Sequence, residues 1–191
     1  MSEKADTYNR ILDVAQHLVQ ERGFNGFSYA NISQTLGIKN ASIHYHFPGK
    51  IDLGVALVRR YRQRLQHLLS HLQAQDIPAP ALLESYLVGY RNVVHEDGRI
   101  CLCAVLAGEL NTLPESIKAE VEAFFQLNQD WLTKVIQDGM MKGQLKSSGS
   151  PDHAAEVFLA TLEGGMLLSR SYADMGRFEQ IGRRAIHLML V

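Results

Sequence analysis

Two pairs of residues in this 191-residue chain have side chains of the metal-binding type, His44-x-His46 and Cys101-x-Cys103. Both have i, i+2 spacing, and on a helix such residues point roughly 200° apart, so neither pair converges on an ion. A Cys101–Cys103 disulfide would be strained for the same reason, and two free thiols fit a reducing compartment. No serine stands in a nucleophile elbow, and no glycine-rich loop has phosphate-binding spacing. No metal, no cofactor and no catalysis are expected.

A different chemistry gathers around Ile43. Read at about 100° per residue with Ile43 toward a core, a short helix from Asn40 to Tyr45 places Phe47 on the same inner side. Ala41, Ser42, His44 and Tyr45 then spread over the outer half, with Asn40 at its margin. A small residue, a hydroxyl, an imidazole and a phenol can meet base edges in a DNA major groove. Taken alone, the same residues would also suit a merely solvated surface. His46 turns partly inward and reads as a structural histidine joining two helices rather than as a base contact.

Helical periodicity runs through most of the chain, without a convincing alternating strand. Tyr8, Ile11, Leu12, Ala15, Leu18 and Val19 mark a first helix ending near Gly23. Ser28 is a good N-cap for a short helix, Tyr29 to Leu36, and Gly37 suits the left-handed residue that ends it. Gly37-Ile38-Lys39 then turns the chain into Asn40–Tyr45, which Pro48-Gly49 closes. A long helix follows from Lys50 to about Leu72. Helix, glycine-containing turn, helix is the helix-turn-helix arrangement. Further helices are expected at about 81–96, 101–111, 114–142, 152–173 and 177–190, giving an all-α chain of about nine helices. The organisation is a three-helix, N-terminal helix-turn-helix domain (1–49) and a C-terminal helical domain (50–191), with helix 50–72 connecting the two.

Charge divides the chain in the same way. Residues 1–67 hold nine Lys/Arg against five Asp/Glu, and residues 68–191 hold ten against fifteen. A basic first third suits a polyanion. Arg59, Arg60, Arg62 and Arg64 read as a solvated face of the long helix, or as a source of long-range attraction to DNA. No stretch of about 18 uncharged apolar residues is present, so no membrane span is expected. The polar start, Met1 to Arg10, lacks a signal-peptide core, and a cytoplasmic location is expected.

Residues 7–55 resemble the DNA-binding domain of the TetR/AcrR family of transcriptional regulators. The resemblance rests on Gly23-Phe24, Ser28-Tyr29-Ala30-Asn31-Ile32, Leu36-Gly37-Ile38, Ala41-Ser42-Ile43 and Tyr45-His46-Phe47-Pro48-Gly49-Lys50, followed by Leu53. Three positions depart from the family pattern: Lys39 replaces Ser or Thr, Ala41 replaces Gly, and His44 replaces Tyr. All three lie on or beside the reading surface, so they bear on which operator is read. The resemblance implies that Ser42, His44 and Tyr45 face the groove and that Asn40 reaches a base edge or phosphate. Ser28 and Tyr29, at the start of their helix, and Lys39 and Lys50 are expected on the DNA side, where helix amides and cations favour phosphate.

The same resemblance implies a C-terminal domain that dimerises and takes a small-molecule effector, and a chain that acts as a repressor on a palindromic double-stranded DNA operator. Residues 101–110 are almost wholly apolar, with Glu109 a lone charge among them. Tyr86, Tyr90, Cys101, Phe124 and Trp131 are the candidate ligand-contacting residues, an aromatic set with a few polar groups of the kind effector pockets use. Arg91, Phe125 and Leu127 accompany them, and core packing would use most of these residues equally well. Cys101 matches the place of a sensory cysteine in some relatives. Residues 152–173, with Gly164-Gly165 in mid-helix, and the apolar end Ile186 to Val191 are expected to form the interface of a homodimer.

Overall fold

In the computed structural model, which describes residues 3–92, 98–146 and 149–191, the helical periodicity becomes nine α-helices and one short 3-10 turn. They are α1 (Glu3–Arg22), α2 (Tyr29–Leu36), α3 (Asn40–His46), α4 (Lys50–Gln73), α5 (Ala79–Arg91), α6 (Leu102–Gly108), α7 (Glu115–Met141), α8 (Pro151–Tyr172) and α9 (Met175–Met189); Leu110–Thr112 form the 3-10 turn. The only β-pairing among the described residues is an isolated bridge between Leu145 and Leu190. The expected helix at 81–96 instead starts two residues earlier and ends at Arg91, and residues 93–97 of that expectation lie outside the described residues. No helix among the described residues is long and apolar enough to cross a membrane.

The chain packs as two units. The first comprises residues up to Gln63 together with Leu102–Phe124, and the second comprises Arg64–Cys101 and Phe125–Val191. The motif-based boundary at 49/50 therefore differs from the packing division, which falls inside α4 and inside α7. The reason is that the helix-turn-helix cannot bury its apolar faces alone. In the first unit Ile11, Leu12, Ala15 and Val19 of α1, Ile32 of α2, Ile43 of α3, and Leu53, Leu57 and Val58 of α4 are almost fully buried, as are Leu102, Leu106 and Ile117.

Local chemistry sets the bends. Gly23 has φ +79 and donates its N–H to the Val19 carbonyl, ending α1. Asn31 reaches back so that its Oδ1 accepts from the Ser28 N–H at 2.8 Å, one half of a capping arrangement at the start of α2. Gly37, with φ +67, ends α2. Asp52 does for α4 what Asn31 does for α2, its carboxylate accepting from the Gly49 N–H at 2.8 Å.

Glu109, the lone charge of the apolar 101–110 segment, has a structural role in this unit. Its carboxylate accepts from the backbone N–H of Phe24 at 3.0 Å and of Asn25 at 3.4 Å. The Asn25 side chain adds a bond to the same oxygen and another to Thr112 Oγ1 at 2.8 Å. The turn between α1 and α2 is thus held by the end of α6. Gly23 is favoured at this point, because the backbone is left-handed and a Cβ would displace the Glu109 carboxylate from its hydrogen bonds.

Three of the four arginines of α4 make ion pairs, while Arg64 is exposed as the solvated-face reading expects. Arg59 and Arg62 both grip the Glu120 carboxylate of α7, at 2.7 and 3.0 Å, while Arg60 reaches Asp13 at 2.9 Å and the Asn9 carbonyl at 3.2 Å. Partial burial by itself would raise the Glu120 pKa, but the two guanidiniums hold it below the usual carboxylate range.

In the second unit, α8 and α9 pair along most of their length, and α5 packs on α9. Ser150 caps α8 by accepting from the His153 N–H at 3.2 Å, with Pro151 in the first turn. Within the chain itself the glycine pair of α8 makes no close helix approach. A Cβ on Gly165 would make ordinary contact with Ile181 and Phe178 of the chain's own α9, and one on Gly164 would meet open space. The close approach is at Gly182 of α9, where a Cβ would overlap Leu87 of α5.

Two outcomes follow from the first unit. Because the folded-state pKa of Glu120 is depressed, its contribution is present at neutral pH and is lost as pH falls through the folded-state value. Thermal melts should show Glu120→Gln less stable than the parent at pH 7, with the gap closing below about pH 4. Gly23→Ala should lower stability by roughly 2 kcal/mol or more through left-handed strain and collision with Glu109, read from urea midpoints.

Candidate nucleic-acid interface

Two apolar anchors fix the roll of α3. Ile43 is fully buried, and Phe47, just beyond the helix, is buried with its ring stacked on Tyr8 of α1 at 4.8 Å. The Phe47 carbonyl accepts from the Tyr29 hydroxyl at 2.9 Å, which ties the end of α3 to the start of α2. With the inner face held this way, the outer face presents Lys39, Asn40, Ala41, His44 and Tyr45, all exposed, with Ser42 half-buried. Tyr45 is 67% exposed, an unusual state for a large aromatic side chain. His44 is aimed by its Nδ1, 3.2 Å from the Pro48 carbonyl, and by edge contact with Tyr29. His46 is half-buried, edge-on to Tyr8 and Tyr45, which is the place of a helix-joining histidine.

Two of the residues expected on the DNA side sit elsewhere. Tyr29 is buried, and its hydroxyl is already committed to Phe47; burial first, and the nearby Asp52 carboxylate second, push its pKa up to about 12. It braces the reading helix and does not form part of the reading surface. Lys50 is half-buried, with its ammonium donating to the Phe27 carbonyl and lying over the Phe24 and Phe27 rings. Burial lowers its pKa, and the Glu109 carboxylate opposes that. To reach a phosphate this lysine must leave an intramolecular cradle. Ser28, by contrast, is exposed at the start of α2.

The second unit brings together four of the five expected ligand-contacting residues, Tyr86, Tyr90, Cys101 and Trp131, and adds two that the sequence reading missed. The Tyr86 ring lies 4.8 Å from Tyr90, 5.3 Å from Trp131 and 6.4 Å from Phe158. The Tyr86 and Tyr90 hydroxyls both donate to Oδ1 of Asn128, the second at 3.0 Å. Asn128 is fully buried, and its position was legible, since it falls on the same α7 face as Trp131 and Leu132. Glu163, the other missed residue, has both carboxyl oxygens out of reach of solvent and, like Trp131 Nε1, without a well-formed hydrogen bond; the Cys101 thiol and the Tyr90 hydroxyl are its polar neighbours. Burial first, and the Cys101 thiol second, push the Glu163 pKa well above the carboxylate range.

Cys101 is buried beside this acid, and Cys103 is buried within α6; neither is in a disulfide. Phe124 is not part of this set. It belongs to the first unit, where its ring packs 5.4 Å from Tyr61. Among the described residues no group of three or more His, Cys, Asp or Glu is arranged to hold a metal ion.

Comparison with known proteins places these features in a family. Residues 11–57 match the bacterial regulatory proteins of the tetR family, and residues 80–185 match the tetracyclin repressor-like C-terminal domain. A TetR-family transcriptional regulator from Agrobacterium tumefaciens is similar in structure with a TM-score of 0.94, at 36% identity, covering 99% of this chain and 100% of that one. A TetR transcriptional regulator from Legionella pneumophila gives a TM-score of 0.82 at 31% identity, covering 94% of this chain and 95% of that one. The HTH-type transcriptional repressor DhaR of Mycobacterium sp. (strain GP1) is 25% identical over 162 residues, 81% of each chain. An outward-facing second helix on a buried three-helix base, followed by a helical domain matched along most of its length, makes this chain a member of the TetR family of DNA-binding transcriptional regulators.

Proposed function

We propose that the protein is a ligand-responsive repressor that binds a palindromic operator as a homodimer and leaves it when a small-molecule effector occupies the second unit. The observation that carries the DNA half is α3 itself, with Ile43 and Phe47 turned in and Tyr45, His44 and Asn40 turned out. Tyr45, His44 and Ser42 read base edges in the major groove. Lys39, exposed at the N-cap of α3, and the first-turn amides of α2 beside Ser28 hold phosphates. Lys50 joins them once its ammonium leaves the Phe27 carbonyl. The basic balance of residues 1–67 supports the same side for DNA, and the site of action is the cytoplasm, where the chromosome lies.

The homodimer forms through α8 and α9. Val157, Leu168, Tyr172 and Leu188 are large apolar residues left exposed on these helices. Between the helices runs an apolar groove of about 670 Å³, lined among others by Val157, Thr161, Ile181, Ala185 and Leu188. Surface of this kind favours a second copy, and a two-fold axis there sets two reading helices one DNA turn, about 34 Å, apart. The effector half is supported by the buried polar set around Tyr86, Asn128 and Glu163, since unpartnered polar atoms are rare in a packed interior.

Operator fragments selected from random duplexes, followed by fluorescence anisotropy, test the DNA half. Tyr45→Ala should weaken the selected operator tenfold or more while barely changing binding to random DNA, a base-contact loss of about 1–3 kcal/mol. Lys39→Ala should weaken all duplexes alike and lower the salt slope by about one. Equal affinities for both variants and the parent would overturn the assignment of α3. For the interface, light scattering at micromolar concentration should give a dimer that Val157→Asp with Leu188→Asp converts to monomer, with loss of operator binding. A parent that scatters as a monomer would overturn the homodimer.

A further inference from the structure

The effector site of the second unit carries information about the charge of what it takes. Its polar groups are the Tyr86 and Tyr90 hydroxyls, the Asn128 amide, the Cys101 thiol, the Trp131 N–H and the Glu163 carboxyl. The groups that face Glu163 are the Cys101 thiol, the Tyr90 hydroxyl and, more weakly, the Tyr86 hydroxyl. None of these is basic. Both tyrosine hydroxyls donate to Asn128, so the acid shares Tyr90 with that amide and meets no other polar neighbour than the Cys101 thiol among the groups named. Among these described groups each ionisable one becomes negative or stays neutral, and none of them supplies a positive charge for a carboxylate or phosphate ligand.

The walls point the same way. Tyr86, Tyr90, Trp131 and Phe158 form one aromatic cluster, with Tyr86 at its centre. Aromatic faces carry negative quadrupole potential and attract desolvated cations within about 6 Å of the ring. A buried acid next to Tyr90, a member of this cluster, is the complement of a positive charge. It is a poor complement for an anion, and for a hydrocarbon it leaves the carboxyl oxygens unpartnered.

We propose that the effector is a small organic cation of ammonium or quaternary ammonium type, held by the aromatic cluster and charge-matched by Glu163. This rests on the reading of the second unit as an effector site. Glu163 thereby decides specificity, and Cys101 and Tyr90 position it. Occupation by a cation draws the carboxyl into its ionised form and releases a proton, so affinity rises with pH below the carboxyl's raised pKa, by up to about tenfold per pH unit. The reaction is a proton transfer to solvent with no change of oxidation state.

The chain holds one tryptophan, and it is Trp131, so its emission reports on this site directly. Full-length protein is titrated with benzyltrimethylammonium, benzylammonium, benzyl alcohol and benzoate at pH 6, 7 and 8, following tryptophan fluorescence. At least one cation is expected to bind tenfold or more tighter than benzyl alcohol at pH 7, to tighten with pH, and to release a proton measurable by calorimetry in two buffers. Benzoate is expected to bind more weakly than either cation. In Glu163→Gln the cation should lose its advantage over the alcohol and its pH dependence. If neither cation binds more tightly than benzyl alcohol at any of the three pH values, the proposal is overturned by the unaltered protein alone, whatever the folding of the variant. A cation preference that survives intact in a folded Glu163→Gln protein overturns it equally. Retention on the selected operator is measured in parallel: DNA binding without cation preference leaves the regulator standing and removes this proposal, while cation preference without DNA binding does the reverse.

Discussion

A seven-residue helix cannot hold itself together in water, because two turns make too few hydrogen bonds to offset the cost of nucleation. Everything α3 offers to a duplex therefore depends on the burial of Ile43 and Phe47 against the first unit. That burial sets the roll of the helix, and the roll decides which side chains stand outward. Tyr29 contributes from beneath. Its hydroxyl occupies the Phe47 carbonyl, and its ring supports His44, so a residue that never reaches the surface still determines how the surface is aimed.

The same unit shows how a reading head is tied down when its own core is small. The turn after α1 exposes amides that need acceptors, and Glu109 supplies them from 85 residues further along the chain. Arg59 and Arg62 reach a single carboxylate on α7, and Arg60 reaches back to α1. These contacts use partly exposed charges, so their value lies more in geometry than in energy. They explain why the packing division runs through α4 and α7 instead of along the end of the helix-turn-helix motif.

The fold and the reading surface were legible in the sequence because both rest on local rules. Glycines at 23 and 37, Ser28 before α2, and Pro48-Gly49 after α3 set the helix bounds to within a residue or two. The angular count from Ile43 separated inward from outward positions on α3, since on so short a helix one anchor fixes the rest. Tyr29 was misplaced because a residue at a helix start can turn either way, and only its tertiary partner, Phe47, decides; the cradle of Lys50 at Phe27 was illegible for the same reason. Phe124 was misplaced because two adjacent phenylalanines on α7 stand at the packing division, which periodicity alone does not locate. Asn128 and Glu163 left a readable signal, each a polar residue within an apolar helical pattern, but one easily passed over beside the aromatic residues around them.

A regulator needs a state whose energy a ligand can change differently from that of its alternative, since tight binding alone shifts nothing. A well-satisfied apolar core offers little of this kind, because a ligand entering it only exchanges one set of contacts for another. The buried acid beside Tyr90 is different. Burial favours its protonated form, and its oxygens lack a well-formed hydrogen bond, a deficit of order 1–3 kcal/mol for a buried polar group left unsatisfied. That magnitude is comparable to the coupling free energies by which allosteric sites typically communicate. That local defect in packing is of the right size to be the source of a switch, and a cation of the kind proposed would remove the penalty on filling it.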